Sequence, residues 1–78
     1  MDRFRFGDHE GEVLEEREFN EFIWAVLFWC DKCDAPHLYS QEYDEVHGLY
    51  GRFVRELSGS LKERAIELRR KRLRGESN

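Results

Sequence analysis

The chain of 78 residues has one proline, two cysteines and no apolar run longer than nine residues. Each scarcity excludes something. A membrane-spanning helix needs about 20 mostly apolar residues, and the longest run, Phe22 to Cys30, is bracketed by Glu21 and Asp31. Met1-Asp2-Arg3 leads into further charged residues, with no apolar signal segment. A cytoplasmic protein with reduced thiols is therefore expected. With a single proline, Pro36, helix breakers are scarce. No internal repeat or low-complexity linker is present. Nor is there a nucleophile, base and oxyanion donor at a defined spacing. Glu15-Glu16 and Asp44-Glu45 are adjacent pairs, which diverge on a helix rather than forming a catalytic dyad. No enzymatic activity is expected.

Aromatic residues are plentiful, at 14%, which argues against disorder. So short a chain forms one small domain, whose core covers only about 60% of the surface that its unfolded form exposes. Charge is divided. Residues 1–47 carry 13 acidic and 4 basic side chains, a net of −9, and residues 48–78 carry 4 and 9, a net of +5.

The pattern predicts an all-α fold, a small helical hairpin or three-helix bundle. Residues 1–14 would be an N-terminal arm, with a short β-hairpin as the alternative because Phe4 and Phe6 alternate with Arg3 and Arg5. Residues 15–74 would form the helical domain and 75–78 a frayed tail. A first helix over 15–35 ends before Pro36. Its wheel places Phe22, Ile23, Val26, Leu27, Trp29, Cys30 and Cys33 on one face, with Trp24 and Phe28 opposite. Such a helix needs cover on two sides. A second, over 40–57, carries Tyr39, Tyr43, Val46, Tyr50, Phe53 and Leu57 at steps of 4, 3, 4, 3, 4. Ser40 would cap it, with Glu42, Asp44 and Glu45 in its first turn. Gly48 and Gly51 cost such a helix about 1 kcal/mol each against alanine. After Ser58-Gly59-Ser60, a capping box of Ser60 and Glu63 opens a third, basic helix running to about Arg74.

These elements point to a non-enzymatic protein-binding module. It would modulate or inhibit a partner protein, in the manner of a phage or plasmid accessory protein, and act as a homodimer. Its anchors would be Trp24, Phe28, Tyr39, Tyr43 and Tyr50, since tryptophan and tyrosine are enriched at interface hot spots. The alternative is a DNA- or RNA-binding regulator that uses Lys62, Arg64, Arg69, Arg70, Lys71, Arg72 and Arg74, with salt-sensitive phosphate contacts. No cofactor is expected. The weaker alternative is zinc on Cys30, Cys33 and His37, with His9 or His47 as a fourth ligand. Against it, Cys30-x-x-Cys33 falls at a helix end, whereas zinc pairs favour tight turns.

Overall fold

A computed structural model describes residues 2–44, 46 and 48–75, without the side chains of Phe19, Asp44, Leu49 and Tyr50. Glu45 and His47 lie outside the described residues. The fold corrects the helical-bundle expectation. Among the described residues five strands precede one helix: β1 (Arg3–Phe6), β2 (His9–Asn20), β3 (Ile23–Cys30), β4 (Ala35–Asp44), β5 (Gly48–Glu56) and α1 (Gly59–Leu73). The strands pair antiparallel in chain order and form a half-barrel.

The first expected helix is replaced by the second half of β2 and all of β3, for a reason visible in the residues. Ile23, Trp24, Val26, Phe28 and Trp29 are β-branched or aromatic, and such side chains suit a pleated surface. A strand buried on both faces reads as a continuous apolar run, so its two-residue period disappears. Here Trp24, Val26, Phe28 and Cys30 join the core on the inner face of the half-barrel. Leu27 and Trp29, which point the other way, join the core beneath α1.

The second expected helix is the β4–β5 hairpin. Its regular 4-3 spacing arises across a turn, with Tyr39 and Tyr43 on β4, Val46 in the turn and Phe53 on β5. Gly48, costly inside a helix, adopts φ +75° where the chain leaves that turn. Instead of a loose arm, residues 3–12 form a hairpin of β1 with the start of β2, in which Phe4 lies opposite Gly11 and Phe6 opposite His9.

Bulges curl the sheet. The register of β2 on β3 shifts between Val13 and Glu15 and again between Glu18 and Asn20, and that of β4 on β5 shifts between Glu42 and Tyr43. An extra residue bends a strand and increases its twist. At the first bulge the adjacent Val13 and Leu14 are both buried, Val13 in the inner core and Leu14 under the helix. The curl brings β1 over the inner face, where the Phe4 ring lies 4.7 Å from Tyr39 and 5.2 Å from Phe28, centroid to centroid.

α1 is the one expected helix that is present. It starts after Ser58, whose side chain makes no capping hydrogen bond, so the Ser60–Glu63 box does not open it. Leu61, Ala65 and Leu68, at helical spacing, pack with Leu57 against Leu14, Leu27, Trp29 and Leu38. The helix contacts β2, β3 and β4. No helix among the described residues is long and apolar enough to cross a membrane.

Candidate functional site

Three regions hold the chemically distinctive side chains. The first lies at one end of the half-barrel, where the β1–β2 turn meets the β3–β4 turn. Cys30 is the last residue of β3, and Cys33 lies in the four-residue turn that follows. Asp34 closes that turn at φ 52°, the left-handed conformation that tight reversals require. The Asp31 amide donates to the Glu10 carbonyl at 2.8 Å, and the Arg3 guanidinium pairs with the Asp31 carboxylate at 2.5 Å. These bonds hold the turn against the start of β2. His9 Nδ1 is then 3.5 Å from the Cys30 Sγ and 3.8 Å from the Cys33 Sγ. The three potential ligand atoms lie within 4.8 Å of one another. His37 does not join them; its ring stacks on that of His9 at 4.7 Å, and its Nδ1 bonds the Ala35 carbonyl at 3.2 Å.

The two thiols differ. Burial alone would push the Cys30 thiol up, but hydrogen bonds from the Cys33 backbone, the His9 ring, the Glu10 backbone and the Cys33 side chain bring it down to about 7. The Cys33 thiol is pushed up, first by its hydrogen bond to Cys30, then by burial and by the negative charges of Cys30 and Glu56. Cys30 is fully buried and offers no face to a substrate, whereas Cys33 is exposed.

The second region is the aromatic interior. Phe28 is fully buried and Tyr39 is 3% exposed, so both belong to the core rather than to an outer surface. Trp24 is half-buried; it packs edge-on to Tyr39 at 5.8 Å and donates its indole N–H to Glu16 Oε1 at 3.0 Å. Of the aromatic residues expected to bind a partner, Tyr43 is exposed, while the Tyr50 side chain is outside the described set.

The third region is the opening of the half-barrel between β1 and β5, which are the two ends of the strand order. Arg52 of β5 reaches across it to the Phe6 ring of β1, 5.6 Å from the centroid. Strand alternation turns Phe4 and Phe6 inward, so Arg3 and Arg5 face outward. By the same alternation Val54 packs on the inner core, and Phe53 and Arg55 point out, both exposed. Arg3 is held by Asp31 and Glu10. Among the described residues no ion pair involves Arg5 or Arg55. Phe53, Arg5 and Arg55 were not expected as site residues; the Arg-Phe-Arg-Phe alternation of residues 3–6 was the one available signal.

The basic helix is largely occupied by its own chain. Arg64 pairs with Glu15 at 2.6 Å, Arg70 with Glu67 at 3.3 Å and Arg69 with Asp34 at 3.6 Å. Arg69 also lies over the Trp29 ring, 4.0 Å from its centroid. Lys62 and Arg72 are exposed and Lys71 is partly so, while Arg74 donates its backbone amide to the Arg70 carbonyl at 3.1 Å. Comparison of the chain with protein-family models, with curated proteins and with solved structures finds no match in any of the three.

Proposed function

We propose that the protein is a cytoplasmic, non-enzymatic binding module that takes an extended, acidic segment of a partner protein as a sixth strand along β5. The observation that carries this reading is the free outer edge of β5. At nine residues it is the longer of the two sheet edges, and α1 packs instead on β2, β3 and β4. An edge strand offers its unpaired N–H and C=O groups to an added strand, and side chains beside it select the sequence. Here the selecting side chains are Phe53, which is 45% exposed, with Arg52 and Arg55 on β5 and Arg5 across the opening.

The same arginines disfavour a second copy as the occupant. Pairing β5 of one chain with β5 or β1 of another brings cationic strands together, and like charges directly opposite are destabilising. The homodimer expected from the sequence rested on a helix needing cover on two sides. In the fold, that segment is a strand covered by β1 and α1 of its own chain. The nucleic-acid alternative draws less support, because Arg64, Arg69 and Arg70 already pair with acidic side chains.

The test is selection from a displayed library of random decapeptides, followed by amide hydrogen exchange on the complex. Acidic peptides alternating with apolar residues are expected, with new protection along Gly48–Glu56. Phe53→Asp is expected to weaken binding by at least about tenfold, the effect of an interface anchor worth more than 1.4 kcal/mol. A tight homodimer in solution, or protection confined to another strand, overturns the proposal.

A further inference from the structure

We infer that His9, Cys30 and Cys33 form a zinc site that clasps the β1–β2 turn to the β3–β4 turn. This lies beyond the β5 binding reading and is independent of it. Zinc bonds sulfur at about 2.3 Å and imidazole nitrogen at about 2.0–2.1 Å, with tetrahedral angles. Those lengths put a nitrogen and a sulfur ligand of one ion about 3.6 Å apart. The observed separations from His9 Nδ1 are 3.5 Å to Cys30 Sγ and 3.8 Å to Cys33 Sγ. His9 Nδ1 thus already stands near tetrahedral spacing from each sulfur, and all three atoms lie within 4.8 Å of one another.

The surroundings fit the same chemistry. Two thiolates and an imidazole are a soft donor set, which selects zinc over magnesium or calcium. Cys-x-x-Cys sits in a tight turn closed by a left-handed residue, not at the helix end that had weighed against zinc. The backbones of Glu10 and Cys33 hydrogen-bond the Cys30 sulfur. Such bonds fix a ligand's orientation as outer-sphere partners do. One tetrahedral corner remains, for water or for a side chain turned in from beside the cluster. Close to the cluster are Glu56, whose charge acts on Cys33, and His37, whose ring lies 4.7 Å from that of His9. Because the ligands come from turns 21 residues apart, the ion would cross-link two hairpins. Cys30 has no access to a substrate, so the role is structural.

The experiment uses the full, untagged chain kept reduced. Metal content is measured after purification, and cobalt(II) is then titrated as a spectroscopic substitute for zinc. About one equivalent of zinc per chain is expected, together with a thiolate-to-cobalt charge-transfer band. Cys33→Ser, at an exposed position that leaves the core intact, is expected to lose about half the intensity of that band, one of two thiolates being gone. It should also bind zinc at least about tenfold more weakly, since loss of even an outer-sphere partner costs that much. His9→Ala should weaken binding yet keep both thiolates in the spectrum. Zinc should raise the melting temperature of the parent chain and leave that of Cys33→Ser little changed. A folded protein without the thiolate band, or a Cys33→Ser variant that binds zinc like the parent, overturns the inference.

Discussion

Gly11→Ala is expected to unfold the domain or leave it barely folded. Gly11 lies opposite Cys30 across the β2–β3 ladder and opposite Phe4 across the β1–β2 ladder. A Cβ built on it falls 1.5 Å from the Trp29 carbonyl oxygen and 2.5 Å from the carbonyl carbon, with the Cys30 Cα at 3.1 Å. These are main-chain atoms of a central strand, so no side chain can swing away to make room. The strands must part, breaking ladder hydrogen bonds and opening the core beside them. The expected loss is about 4 kcal/mol or more, the range reserved for severe single substitutions. For a chain of this length the total stability is about 4–12 kcal/mol, at 0.05–0.15 kcal/mol per residue. The requirement is one of space, because Gly11 is not among the glycines with positive φ. Gly51, on the edge strand, has nothing within 4 Å of its built Cβ. Gly51→Ala should accordingly change stability by no more than about 0.5 kcal/mol, as surface substitutions usually do. Urea unfolding of both variants checks the pair; equal stability would contradict the close approach of β2 to β3.

Phe28→Ala carries the second large effect. Phe28 is fully buried at the middle of the inner core, with the Phe4 ring at 5.2 Å and the His37 ring at 5.9 Å. Phenylalanine-to-alanine substitutions in cores cost about 3–5 kcal/mol, combining lost transfer energy with the cavity left behind. Little can collapse into the space, since its neighbours are anchored on three different strands. Phe28→Leu should cost less, because it removes less volume. Tyr43 is the informative control. The helical reading made both residues partner-binding anchors, but Tyr43 is 51% exposed, and Tyr43→Ala should fall within about 0.5 kcal/mol of the parent. A loss below 1 kcal/mol for Phe28→Ala in urea unfolding would mean that this ring is not in the core.

Particular residues explain which parts of the fold could be read from the chain. α1 was legible because Ser58-Gly59-Ser60 marks a boundary and Leu61, Ala65 and Leu68 repeat at helical spacing. The need of Phe22–Cys30 for cover on two sides was also legible. Its element type was not: when side chains of both strand faces are apolar, helical and extended periods give the same run. The cover itself was invisible too, because it depends on Phe4 folding over from one end of the chain and Leu61 from the other. In the candidate metal cluster, Cys30-x-x-Cys33 was evident by spacing. His9 acquires its place only through the register that sets Gly11 opposite Cys30, and a register cannot be read without the strands. The β5 edge was hidden for a similar reason, since Tyr39, Tyr43, Val46, Tyr50 and Phe53 imitate a heptad across a turn.

The meander order has a kinetic consequence. Every strand pairs with its immediate neighbour in the chain, through turns of two to four residues. Assembly can therefore proceed by successive zippering, with little loop-closure entropy to overcome at each step. On refolding from denaturant, the strands can pair with their neighbours before α1 docks on them. Until the helix arrives, Leu14, Leu27 and Leu38 remain wet, which makes the last fifteen-residue element the lock on an otherwise self-templating sheet.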